Sequence, residues 1–574
     1  MMPAKAIREH PFCALVAHFA RRLFASEEEQ AVGGLGLGLG AVLALVASPG
    51  AFASIFLMGK YSTLIQWMRG QRIDAIRRSP SDEYFFIVLS MTIVGLLMVA
   101  RWNRLFPDRR DFANLAILPI PIRNIFLSNL AVLFGLSILF GVVVNFVSSI
   151  LFPFFVTISI GTLTSFLHVA VAHAMSVFLA SLFSFFAVLS LVGLLSLVVP
   201  RVLFRPVSLL VRIILVVGLL TEFFSNILLQ LFAGKLPGSG IEYMRYVPSF
   251  WFVALYERLL GIGSSAIQQV GSLALMAVGA VIALSTLCYA LCYRRIFLRL
   301  PESLEMVTNS RSFIRIRLPV ILLRVFYRSA FERACLGFVR RVLVRSEAHL
   351  MFLGAYMGIG VVIALQTTLG TASAQDTSPV PGAGYIALPL LMALFIASGL
   401  RFAFDMSAAR EANWIFKTVS NSTQPSAERM ARRILFFATV PWQLLIFLPL
   451  AVGRMGFLRA FLHIGLVAAI TILFVCIVTA RFPKIPFTYL MRVDIRPLII
   501  KMLLTVFGVM AFVPALAEWE RWMLVQPLRV IPFAFLLLAA FYWLMRYQNV
   551  LSLDEPDLVF EDGPAADFQL LKLT

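Results

Sequence analysis

Charge is scarce in this sequence. Only 14% of its 574 residues are Asp, Glu, Lys or Arg, where a soluble domain carries roughly a quarter. So few charges cannot cover a water-facing surface, which excludes soluble enzymes, disordered tails and secreted disulfide scaffolds together. Cysteine is also rare: Cys13, Cys288, Cys292, Cys335 and Cys476 form no Cys-x-x-Cys pair, which removes the zinc-ribbon and dithiol redox patterns. Cys288 and Cys292 share one helix face, the spacing of ordinary packing. Of the six histidines, His168 and His173 lie five residues apart. They point to different helix faces, a poor metal pair, and read as structural or interfacial. No Ser-His-Asp or paired-carboxylate constellation emerges.

A phosphate-binding loop is also missing. The only Gly-Lys pairs are Gly59-Lys60, followed by Tyr61, and Gly234-Lys235, followed by Leu236; neither continues with the Ser or Thr such a loop requires. The longest stretch between apolar runs, residues 294–348, is far short of the roughly 150–200 residues a nucleotide-hydrolysing domain needs. Asp and Glu are almost absent from the apolar runs, which disfavours ion-coupled carriers, since these load their ion on intramembrane ionisable groups.

What the chain has in excess is apolar length. The hydrophobic set makes up 60% and mean hydropathy is +0.91. Crossing roughly 30 Å of hydrocarbon takes about 20 mainly apolar residues, and twelve runs qualify. In the first half they are Leu37–Met58, Tyr84–Ala100, Phe126–Leu151, Ser165–Val199, Val207–Phe232 and Ile267–Tyr293. In the second they are His349–Leu365, Tyr385–Leu400, Ile434–Val452, Phe461–Ala480, Leu498–Leu516 and Ile531–Leu544. Their continuous apolarity, without period-two alternation, predicts helices. The fold class is an all-α polytopic membrane protein with about 12 transmembrane helices as two parallel six-helix repeats.

The net charge of +20 sits in short loops between these runs, which argues for topology and against nucleic acid. Residues 294–348 hold twelve Arg and four Glu, net +8, whereas Gln366–Gly384 has one charged residue, Asp376. The first is therefore expected in the cytoplasm, and alternation brings both termini there. One loop disagrees: Lys60, Arg69, Arg72, Arg77 and Arg78, balanced only by Asp74, Asp82 and Glu83, fall on the outer side. Either Leu37–Met58, which contains Pro49-Gly50, is not a simple span, or the second span overrides it; twelve spans are favoured over eleven. Residues 1–36 read as a cytoplasmic, interfacial segment without a cleavable signal, 37–293 and 349–547 as the two six-span halves, 294–348 as a basic linker and 548–574 as an acidic solvated tail. Gly34, Gly36, Gly38 and Gly40 form overlapping Gly-x-x-x-Gly pairs, suited to close helix approach.

A short internal repeat follows the second span of each half. Phe106-Pro107-Asp108-Arg109-Arg110-Asp111-Phe112-Ala113-Asn114-Leu115-Ala116-Ile117 matches Asp405-Met406-Ser407-Ala408-Ala409-Arg410-Glu411-Ala412-Asn413-Trp414-Ile415-Phe416 at an offset of 412 − 113 = 299. An even number of spans per half gives the copies one orientation, related by an axis along the membrane normal.

The segment Phe106 to Leu130, with Asp111, Leu118-Pro119-Ile120, Arg123 and a helix from Phe126, resembles the region after the second span in ABC-type exporter permeases of the second exporter class. The resemblance implies a cytoplasmic elbow that docks on a separate ATPase subunit, in two copies, with ATP and Mg held by that partner and no cofactor on this chain. The coupling residues it implies are Asp108, Arg109, Arg110, Asp111, Pro119, Pro121 and Arg123, and more weakly Arg410, Glu411, Asn413 and Trp414, where the second half lacks the Leu-Pro-Ile turn. Val247-Pro248-Ser249-Phe250-Trp251-Phe252 is similar to the outer loop of these permeases, where short helices line the exit; Pro248 and Trp251 carry that likeness. Elementary physics agrees with an elbow: Pro119 and Pro121 deny continuous helix, and the Asp-Arg-Arg-Asp run offers a charged face to a soluble partner, although a basic loop held near anionic lipid has the same composition. The implied protein is a transport subunit, not itself an enzyme, in a bacterial inner membrane, contacting lipid and no nucleic acid. A twelve-span secondary transporter is the alternative.

Overall fold

The computed structural model describes residues 11–24, 39–61, 74–106, 119–232, 245–299, 330–370, 380–406, 427–480, 482, 485–488 and 496–551. These residues form helices and no strand. The chain divides into two compact units, Met1–Ser312 and Phe313–Thr574.

Unit 1 contains α1 (Pro11–Phe24), α2 (Leu39–Tyr61), α3 (Ala75–Ala100), α4 (Ile122–Asn145), α5 (Ser148–Thr157), α6 (Leu163–Val198), α7 (Arg201–Phe232), α8 (Pro248–Leu259) and α9 (Ser265–Arg299). Unit 2 contains α10 (Ala330–Arg345), α11 (Glu347–Gly370), α12 (Ala383–Phe404), α13 (Ala427–Trp442), α14 (Leu448–Met455), α15 (Phe457–Thr479), α16 (Arg496–Val525) and α17 (Val530–Leu551), with a π turn over Gln443–Phe447 joining α13 to α14. Among the described residues, eleven helical segments are long and apolar enough to cross a membrane. They correspond to eleven of the twelve runs expected from sequence. The twelfth, Leu37–Met58, is helical over Leu39–Tyr61 with Pro49 inside it but is not among the eleven.

Several helices outrun their apolar windows. The second span begins at Ala75, not Tyr84, and so carries Asp82 and Glu83 within it. The stretch between the last two apolar runs, Leu498–Leu516 and Ile531–Leu544, is likewise the last turns of α16 and a short 3-10 turn, Pro527–Arg529. A charged residue at a helix end looks like loop in a hydropathy window, whereas the backbone keeps its hydrogen-bonded ladder as far as neighbouring helices enclose it.

Each unit packs around a central helix. In unit 1, α3 buries Phe86, Ile87 and Met91 against Phe152, Val177, Phe252 and Val278. A polar seam joins α3 to α6: Ser90 bonds Ser181 at 2.5 Å and Ser184 donates to the Met91 carbonyl at 2.8 Å. In unit 2, α12 buries Ile386, Leu390, Leu391 and Phe395 against Tyr356, Ile464, Val467 and Val513. α7, α16 and α17 leave most of their surface outward, with Phe507, Phe512, Phe535, Leu536 and Trp543 exposed, the composition expected of a lipid-facing surface.

Both units open with an amphipathic helix. On α1, Leu15 and Phe19 are buried, while Ala14, Ala17 and His18 face outward, and the helix packs on α4. On α10, Phe331, Cys335, Val339 and Val342 form one buried stripe, and Arg333, Arg340, Arg341 and Arg345 are exposed. α10 lies in the stretch read from sequence as a linker; its Glu332 is buried and bonds Arg433 of α13 at 2.7 Å.

Candidate functional site: elbow roots and buried histidine–glutamate pairs

The described residues on either side of 107–118, the stretch read from sequence as an elbow, come together at one place in unit 1. Before it, Trp102, Leu105 and Phe106 are buried, and Phe106 stacks on Tyr289 of α9 with ring centroids 5.1 Å apart. After it, Phe126 of α4 packs on the same ring at 5.3 Å, and the fully buried Asn129 amide hydrogen-bonds the Tyr289 hydroxyl. Both ends of residues 107–118 therefore close on Tyr289. Pro121 caps α4 in an extended conformation, φ −59° and ψ 133°, and cannot continue a helix backwards from it. Pro119 and Arg123 are exposed on this short approach. Asp108, Arg109, Arg110 and Asp111 lie outside the described residues.

The second elbow is rooted by polar contacts instead. Arg401 of α12 pairs with Asp405 at 2.9 Å, donates to the Val478 carbonyl at 2.9 Å and lies over the Phe482 ring at 4.5 Å. His349 bonds the Met406 carbonyl at 3.2 Å, and the Phe487 amide donates to the Phe404 carbonyl at 3.0 Å. Arg410, Glu411, Asn413 and Trp414 are outside the described residues, as are Gly34, Gly36 and Gly38.

At the opposite end of unit 1, Pro248 and Trp251 belong to α8, a helix of 12 residues between α7 and α9. Pro248 sits in its first turn, where a missing N–H costs nothing. Trp251 is half-buried, donates to the Arg245 carbonyl at 3.0 Å and packs on Phe183. Phe252 and Tyr256 are fully buried, and the Tyr256 hydroxyl bonds Ser79 of α3 at 2.9 Å. Gly271 of α9 makes this packing backbone to backbone: a Cβ there would stand 2.8 Å from the Ala254 carbonyl oxygen.

Ionisable groups that the apolar windows hid are buried at this same end. His173 of α6 meets Glu83 of α3, Nδ1 to Oε2 2.5 Å, both side chains fully enclosed. Its Nε2 lies 3.4 Å from the Ser148 hydroxyl, and the rings of Phe86 and Phe152 flank it. Beside it, Asp82 accepts from Lys60 at 2.7 and 2.8 Å and from the Tyr61 hydroxyl. Unit 2 holds a second pair: His463 of α15 and Glu520 of α16, Nδ1 to Oε1 2.7 Å, again enclosed. Within each unit the pair lies at the end opposite the elbow, because α6 and α15 both start there. The expectation that carboxylates are almost absent from the spans is thus corrected. His168, by contrast, is exposed and only bonds the Leu259 carbonyl.

Cys288 and Cys292 pack as expected: both are buried, and Cys292 lies 3.1 Å from the Gly193 carbonyl, where α6 and α9 approach closely. No family model, no curated protein and no solved structure matches this chain.

Proposed function

We propose that the chain is the membrane-spanning subunit of an ATP-driven exporter, its two units forming the translocation unit and its elbows docking on separate ATPase subunits that bind ATP and Mg. The carrying observation is Tyr289, on which both ends of the first elbow close. Force on an elbow moves a bundle only if the elbow's root is fixed, and here displacing the loop must displace α3, α4 and α9 together. The short helix α8, packed among the spans at the far end, and the amphipathic helix that opens each unit add support. In this reading the elbow end faces the cytoplasm of a bacterial cell, both termini lie on that side, and the chain sits in the inner membrane.

Co-expression with the ATPase encoded nearest to it is the test. The wild-type chain should co-purify with that ATPase and stimulate its hydrolysis. Reversal of Arg109, Arg110 and Arg123 to Glu should reduce the yield of ATPase, and undiminished co-purification rejects the docking. Tyr289→Ala should keep the complex but lower the stimulation.

A second reading, a secondary transporter, is favoured by one observation: the enclosed Glu83–His173 and His463–Glu520 pairs, groups of the kind that load a coupling ion. Proteoliposomes of the chain alone distinguish the two, since only the secondary carrier moves protons without an ATPase.

A further inference from the structure

The two histidine–glutamate pairs differ in one respect. In unit 1 both ring nitrogens of His173 are engaged, by Glu83 and by Ser148. In unit 2 the Nδ1 of His463 meets Glu520, while its Nε2 is buried and has no partner among the described residues. A buried nitrogen left without a partner is costly and needs a reason. Beside it lies a cavity of about 20 Å³ lined by Tyr385, Pro389, Phe447, Ala451 and His463 among others. One water needs roughly 10–15 Å³ and at least two polar partners.

The backbone around the cavity is broken in a way that frees an acceptor. Pro389 lies inside α12 and has no N–H, so the Tyr385 carbonyl, four residues earlier on the lining turn, loses its helical donor. Across the cavity the chain runs through the π turn Gln443–Phe447, where the Leu448 amide reaches back to the Gln443 carbonyl, and Pro449 follows at once. Isolated π turns inside helices recur where a protein binds something.

We propose that this cavity is a proton site. It holds one water, hydrogen-bonded to His463 Nε2 and to the Tyr385 carbonyl, through which a proton enters and leaves the His463–Glu520 pair. With the Nδ1–H donated to the Glu520 carboxylate, Nε2 carries a lone pair. A hydronium arriving in the cavity transfers its proton to that lone pair and remains as water, and the loaded imidazolium–carboxylate pair has no net charge; release is the reverse. The other titratable or charged groups packed at this end are Tyr385 on α12, Arg454 on α14, Arg459 on α15, Glu518 and Arg521 on α16, and Arg529 on the following turn. Arg529 is committed to the Trp522 carbonyl and ring. α13 carries Glu428, Arg429, Arg432 and Arg433, and α17 carries Tyr542, Arg546 and Tyr547, all toward their opposite ends. The proposal does not rest on the ATPase reading, because it is measured on this chain alone.

The test is nitrogen NMR of the full chain in lipid nanodiscs, selectively labelled with 15N-histidine and titrated from about pH 5 to about pH 9. One signal, assigned by its loss in His463→Gln, should titrate at Nε2, and Glu520→Gln should move its midpoint by about one pH unit or more. A His463 signal that does not titrate, or whose midpoint Glu520→Gln leaves in place, overturns the proposal. Ala451→Val fills the cavity while keeping the pair intact. It should slow exchange of the His463 ring proton with D₂O by about tenfold or more, as expected when a tight site loses its water; unchanged exchange rejects the water route. Should His463→Gln fail to fold, the signal shifted by Ala451→Val provides the assignment.

Discussion

Glu83 and His173 hold each other in an enclosed place that neither occupies cheaply alone. Removing one partner of such a pair leaves an uncompensated polar group and costs roughly 3–5 kcal/mol, whereas replacing both with apolar groups costs less. We therefore expect Glu83→Leu and His173→Leu each to lower the melting temperature of the purified chain, and the two combined to lower it by clearly less than the sum. Additive losses in that thermal cycle reject the coupling. A second prediction concerns Cys335 of α10, whose thiol is pushed up to about 12, first by burial and then by the neighbouring Glu332. At about pH 8 that leaves roughly one molecule in ten thousand as thiolate, the reactive form. Maleimide should thus modify the half-buried Cys13 well before Cys335. Equal rates, read by mass spectrometry of digests, contradict the packing of α10 against Met430 and Ile485.

At the scale of elements, α8 depends on Gly271. The atoms a Cβ would meet there are the Ala254 carbonyl carbon and oxygen and the Leu255 amide nitrogen, all backbone, at 2.8 to 3.1 Å. Backbone cannot rotate away as a side chain can, so Gly271→Val should displace α8 from α9 and cost about 1–3 kcal/mol. Gly279, two turns on in the same helix, has nothing within 4 Å of its Cβ position. Gly279→Val serves as the comparison and should melt within a few tenths of a kcal/mol of the parent; if both variants melt alike, α8 is not seated where its contacts with Ser79 and Phe183 place it. The same element shows what a hydropathy window overlooks. Asp82, Glu83 and Glu520 stand at the ends of apolar runs and read as loop charges, but α8, α6 and α15 cover those ends and turn them into interior.

At the scale of the whole molecule, each unit has its own core and its own helical order. Expressed as separate chains, residues 1–312 and 313–574 should each insert into membranes and resist protease over their spans. Rapid digestion of either half shows that its core is not sufficient on its own. If the chain is the exporter subunit proposed above, stimulation of its ATPase should require both halves together.

The all-helical class and eleven of the membrane-crossing runs were legible in the sequence because apolar length is a local property, felt by the backbone whatever surrounds it. Pro119 and Pro121 marked the start of α4 without any knowledge of its neighbours. The convergence of Phe106, Phe126 and Asn129 on Tyr289, the two histidine–glutamate pairs and the cavity beside His463 were not legible. They join residues far apart along the chain, Glu83 with His173 and His463 with Glu520, and which helices become neighbours is decided only when side chains interlock in three dimensions. His173 read as a structural or interfacial residue for the same reason: its partner was identifiable only once α3 and α6 lay side by side.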